Sequence, residues 1–257
     1  MSDAALPLPP KIDVAASVRF AYAVAIDHWR LVVALAWAPF VAVTMAGEAY
    51  EWLGDSWLVR TAYLLIDSGG FAIFIVRWHR FVLLGETAAD RFIPAGWGPY
   101  IWTTMKLGLL LLIGFVLLLV IVSFLGVAIG PSLTSNVTAG VGVIAAIVLG
   151  LALFWAGVSL AFPAAAIVRR ISLVTGAWDL VSGNYWRLVA CLVACCAPFA
   201  LLSFGVGSLG GVSPILNVII FIMQSVVWFA GAAVVASLLS HIYRRLAPTE
   251  AEAGTPA

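Results

Sequence analysis

Asp67 stands near the middle of a long apolar run, Trp57 to Val76, and is the only ionisable side chain near the centre of any apolar run long enough to span a bilayer. Placing aspartate at the centre of a spanning helix costs about 2.5–3.5 kcal/mol on insertion scales, so an intramembrane acid is a functional hypothesis by default. Two readings fit it. A carboxylate facing a polar path would couple a proton or cation, or touch a passing substrate. The context Asp67-Ser68-Gly69-Gly70 supports the other reading. Paired glycines invite a helix break, and Asp67 would then cap the second half. Arg60 lies two turns earlier on the same face and is placed to reach toward Asp67. Asp67, Arg60 and Ser68 form the candidate intramembrane polar site. A single acid without an acidic or basic partner in another span makes a poor relay.

A second chemistry is carried by arginines. Arg77, Arg80, Arg169, Arg170, Arg244 and Arg245 close three apolar runs on one expected leaflet. Each basic side chain near an anionic bilayer surface contributes about 1 kcal/mol, so these residues are a candidate face for anionic lipid. They also set topology. His28, His79 and His241 fall at the same ends and are expected to be solvated anchors. Haem in a bundle needs axial ligands inside it, and zinc needs a third or fourth ligand. Cys191, Cys195 and Cys196 share one apolar run, which argues for packing residues rather than a disulfide framework.

Gly-x-Ser-x-Gly, His-Glu-x-x-His and phosphate-loop patterns do not occur. No catalytic residue, metal site or cofactor is assigned, and a non-enzymatic role is expected. A net charge of +1 gives no general pull toward nucleic acid. The expected partners are anionic membrane lipids, with a second copy or another membrane protein as a further candidate.

The elements that must position these residues follow from composition. The chain has 257 residues, 64% hydrophobic and 10% charged. Soluble domains run about 45–50% apolar and about 25% charged, so lipid must be the solvent for the excess. Eleven tryptophans, mostly at the ends of apolar runs, fit an interfacial belt. The polar start of the chain lacks a signal-peptide core, so the first span is expected to serve as an uncleaved signal.

A spanning helix needs about 20 apolar residues. Six runs qualify: Trp29 to Ala46, Trp57 to Val76, Leu107 to Ile129, Ala139 to Val168, Leu188 to Leu209 and Ile215 to Leu239. The fold class is therefore all-α, a polytopic membrane bundle forming one domain over 1–257. Its hairpins cover about 29–80, 101–168 and 186–243, with flexible tails at 1–11 and 247–257. The fourth run is longer than a bilayer needs, so it is expected to be tilted, kinked at Pro163 or extended into the cytoplasm. With both termini in the cytoplasm, every lysine and arginine except Arg60 lies on the inner side.

Two interfacial helices are expected, one capped by Asp13 and running to about Ile26, one capped by Ser172 and running toward Tyr185. Each feeds a similar start, Trp29-Arg30-Leu31-Val32 and Trp186-Arg187-Leu188-Val189, followed by Pro39 and Pro198. The first and last hairpins thus read as a weak parallel repeat of a kind found in transporters and elsewhere. Small residues at four-residue spacing, Gly157-Ala161-Ala165 among them, permit close helix packing.

The stretch Trp78 to Glu86, the Arg169-Arg170-Ile171-Ser172-Leu173 run, and the later Ala177-Trp178, Gly183-Asn184 and Trp186-Arg187-Leu188 resemble parts of functionally uncharacterised bacterial inner-membrane proteins. These are loosely similar to the membrane domain of glycerophosphodiester phosphodiesterases. The resemblance implies a six-helix inner-membrane protein. It brings no catalytic residues, because the sequence holds no soluble phosphodiesterase domain.

Overall fold

The computed structural model describes residues 11–54, 56–87, 93–129, 137–169, 171–173, 175–209 and 213–247. Arg170 of the expected basic face and the outermost parts of both expected tails lie outside the described residues. The described residues form nine helices and no strand. These are α1 (Val14–Asp27), α2 (Trp29–Leu53), α3 (Trp57–Leu84), α4 (Trp97–Ile129), α5 (Val137–Val158), α6 (Ala161–Ala166), α7 (Thr175–Val181), α8 (Tyr185–Gly207) and α9 (Pro214–Leu246). Within them, α2, α3, α4, α8 and α9 are long and apolar enough to cross a membrane. The described apolar part of α5, Ala145–Val158, is shorter. The fold is an all-α, multi-pass membrane helical bundle.

Local sequence sets the helix ends. Asp13 accepts from the Ala16 N–H at 3.0 Å and caps α1. Ser56 caps α3, and Ser213 caps α9 just before Pro214, whose missing N–H would be unsatisfied there anyway. Gly85 ends α3 in the left-handed region at φ 73°, which a residue without Cβ adopts at low cost.

The Gly69-Gly70 pair does not break α3, which runs unbroken from Trp57 to Leu84. Asp67 is therefore not a cap. Each helical glycine costs about 1 kcal/mol, less than abandoning backbone hydrogen bonds where no water replaces them. Gly70 instead brings α2 close, since a Cβ there would press on the Val43 side chain and lie near the Pro39 backbone.

The expected fourth span is also revised. It is not one helix to Val168: α5 stops at Val158, the chain turns at Ser159-Leu160, and α6 follows with all six residues buried. Pro163 has no N–H to continue the ladder from α5. The second interfacial helix is shorter than the apolar spacing suggests. At its start the Ser172 hydroxyl accepts from the Thr175 hydroxyl at 2.8 Å and the Ser172 carbonyl from the Ala177 N–H at 3.0 Å, and Tyr185 already belongs to α8.

α9 is the axis of the bundle. It packs against α1, α2, α3, α6, α7 and α8. From Ala233 to Tyr243 every residue of α9 except Val235 is buried. Two side-chain bonds fix its register against the parallel helix α3. Trp78 Nε1 donates to Ser237 Oγ at 2.8 Å, and His79 Nδ1 lies 2.7 Å from Ser240 Oγ. α1 is pinned across α8 and α9. The Ile12 N–H donates to Asn184 Oδ1 and the Arg187 guanidinium donates to the Ile12 carbonyl, both at 2.8 Å.

Candidate functional site

A cavity of about 550 Å³ opens beside α9. One wall is a single face of α3, because Asp67, Phe71, Ile75 and His79 recur at four-residue steps. At 1.5 Å per residue, Asp67 and His79 stand about 18 Å apart, so the cavity is elongated along the helix. Cys196, Phe199, Ala200 and Ser203 of α8 form the facing wall. Val227, Trp228, Gly231 and Val235 of α9 make the floor, and Tyr100 and Thr104 of α4 close one side. Gly231 lets α8 approach, since a Cβ there would stand 3.0 Å from Phe199 Cγ.

Besides Thr104 on the α4 side, polar groups gather toward the two ends. Asp67, Ser68 and Ser203 line one end, and His79 and Tyr100 the other. Asp67 is half-buried and Ser68 exposed. Near that end Gln224 donates to the Ser203 carbonyl at 3.2 Å, tying α8 to α9. At the other end His79 is 1% exposed, held by Ser240, with its ring 6.3 Å from that of Tyr100. The lining contains Asp67 as its one carboxylate and neither lysine nor arginine. Arg60 is exposed and does not line the cavity, so the expected trio contributes two members to it.

The expected basic face divides. Arg80 Nε and Nη2 donate to the two Glu86 carboxylate oxygens at 2.8 and 2.6 Å, while Nη1 donates to the Ala166 carbonyl at 3.1 Å. Its planar fork is thus committed to a clamp on the end of α6. Arg77 and Arg169 are only partly exposed and engaged within the protein, Arg169 beside Tyr243. Arg244 and Arg245 at the end of α9 are exposed and form the outward part of the face.

The histidine expectation needs correction. Only His28 is exposed, with Nδ1 3.1 Å from the Val24 carbonyl. His79 is core, and His241 is buried with its ring stacked 4.1 Å from Phe20. The reason is that α3 and α9 run about two turns past their apolar stretches, carrying these residues from the expected interface into packed protein. Among the described residues no group of three His, Cys, Asp or Glu side chains is placed to hold a metal. Cys191 and Cys195 are buried, and Cys196 faces the cavity.

Sequence reasoning missed the cavity. Its signal was present in the Asp67-Phe71-Ile75-His79 spacing, but the facing wall on α8 and α9 depends on packing that spacing does not encode. No family model, no curated protein and no solved structure matches this chain.

Proposed function

We propose that this chain is a six-span protein of the bacterial inner membrane that binds an apolar or amphiphilic small molecule in the cleft between α3 and α8, without converting it. The observation that carries the reading is the cleft itself. Small-molecule sites are mostly apolar concavities of about 300–1,000 Å³ with a few placed polar groups, and this one fits that description. Its one nitrogen base, His79, is spent on Ser240 of α9, a buried serine outside the lining.

The distribution of basic residues supports α5 as the fourth span, with both termini in the cytoplasm. The resemblance of Trp78 to Glu86 to six-helix inner-membrane proteins agrees with that arrangement. Arg244 and Arg245 are then placed to meet anionic headgroups.

The test is native mass spectrometry of the protein extracted with its own lipids. A stoichiometric small molecule or lipid should accompany the wild type and be lost from Ala200→Phe, whose added ring fills the cleft from its exposed wall. A bare chain in both, or the same adduct in both, overturns the reading.

Asp67 at the cleft also favours a second reading, a small permease in which this carboxylate couples movement of the ligand to that of a proton or cation. In proteoliposomes Asp67→Asn should abolish coupled flux while Ser68→Ala retains it. Undiminished flux in Asp67→Asn removes the coupling role.

A further inference from the structure

We propose that the cleft ligand is a hydrophobic organic monocation, its charge held at Asp67 and its apolar body among the aromatic rings around α9. This deepens the proposed binding role and rests on the cleft being a ligand site.

The register of the parallel pair α3 and α9 carries the argument. His79 meets Ser240, and Asp67 and Trp228 each stand twelve residues before those two. Nearer to them Phe71 packs on Phe229 with ring centroids 5.2 Å apart, so Trp228 stands within about one turn of the level of Asp67 along the same cavity. One turn toward the cytoplasm, Phe71 follows on α3, and Phe199 packs against Gly231 on α9. A single carboxylate is thus accompanied by three aromatic side chains from three helices, all lining one cavity.

This combination selects by charge. Asp67 repels an anion, and no lysine or arginine in the lining offsets it. A neutral ligand offers Asp67 no counter-charge, whereas a cation favours its ionised form and is held by it. A metal cation would demand several oxygen ligands or its own waters, and apolar walls replace neither. An organic cation such as a quaternary ammonium or phosphonium ion spreads its charge over a weakly hydrated surface. It needs only one counter-charge and aromatic faces, which attract cations through the ring quadrupole. The remaining length of the cleft, Ile75 to Val235, receives apolar atoms.

The experiment is equilibrium binding of radiolabelled tetraphenylphosphonium to the full chain in nanodiscs, corrected for empty nanodiscs. Triphenylphosphine oxide, similar in shape and neutral, is measured beside it. The wild type should bind one phosphonium ion per chain. Asp67→Asn, nearly isosteric, should weaken phosphonium binding at least about tenfold and leave the oxide unaffected. Asp67→Glu should restore most of the phosphonium affinity, and Ala200→Phe should abolish binding of both probes. If Asp67→Asn binds phosphonium as tightly as the wild type, or the wild type binds the oxide alone, the cationic assignment is overturned while the cleft survives. If Ala200→Phe leaves both probes bound, the cleft reading itself falls.

Discussion

The two halves of α9 are built from the same apolar residue types and live in different surroundings. From Ala233 to Tyr243 the helix is enclosed by α1, α3, α6 and α8, and two of its polar side chains, Ser237 and Ser240, bond partners on α3. From Ile215 to Trp228 exposed residues recur along its length, and the cleft begins at its last turn, Val227 and Trp228, and runs on past Gly231 to Val235 and Leu239. A helix that is apolar all round is expected to be fully covered, by protein or by lipid. Lipid tails are as apolar as leucine, so a membrane gives the outer half no strong drive to close. The inner half closes because specific contacts pull it together: the Arg80 clamp, the tryptophan and histidine bonds to serines, and the pinned start of α1. The lesson is that residue type alone does not separate a structural core from a binding wall here; interhelical polar contacts do.

The largest expected effect tests this division with one residue type. Trp78 is 0% exposed and bonded to Ser237, whereas Trp228 is 62% exposed beside the cleft. Trp78→Ala should cost about 3–5 kcal/mol of unfolding free energy, the usual range for a buried aromatic truncation. Trp228→Ala should cost under about 1 kcal/mol. Reversible unfolding in mixed micelles measures both. Equal losses would break the comparison.

A smaller effect is expected at the His79–Ser240 pair. Ser240→Ala removes one partner and leaves a buried imidazole nitrogen unsatisfied, at about 1–3 kcal/mol. Replacing both residues by apolar side chains should recover part of that loss, because no orphaned polar atom remains. A double-mutant cycle by the same unfolding assay reads the coupling. Strict additivity would show that the pair does not hold α3 to α9.

Much of the fold was legible because apolar runs and polar punctuation are local signals. Asp13, Pro39, Pro198 and the positions of five spans are legible in the sequence. The misreadings share one cause, which is that tertiary contacts override local preference. Gly69-Gly70 reads locally as a break, whereas Gly70 seats α2 within an unbroken helix. His79 and His241 read locally as interfacial anchors, whereas α3 and α9 continue past their apolar runs and bury both. Asp67 was legible as an exception, but its relation to Trp228 depends on an interhelical register that no single segment encodes.

The inner half also tolerates strain. Val168 adopts φ 63° just after α6, a left-handed conformation that β-branched residues rarely take. The Arg169 N–H bonds the Ala164 carbonyl and the Val168 N–H bonds the Ala165 carbonyl. Together these form the paired helix-ending bonds in which glycine normally occupies the left-handed position. The side chain is 53% exposed, so little packing is lost by removing it. Val168→Gly should therefore raise stability by about 1 kcal/mol, and a decrease would show that the side chain holds α6 in place.

The smallest expected change is at Asp67, and it is the most informative. Asp67 forms no hydrogen bond or ion pair among the described residues, unlike His79 and Trp78 with their serine partners. If it served the fold, Asp67→Asn would destabilise by an amount comparable to Ser240→Ala. If it serves a ligand, the substitution should change unfolding free energy by less than about 0.5 kcal/mol in ligand-free micelles, as surface substitutions do. The same variant should still lose cation binding. Stability retained with binding lost would mean that the inner half holds the molecule together, leaving the acid of the outer half to hold what enters it.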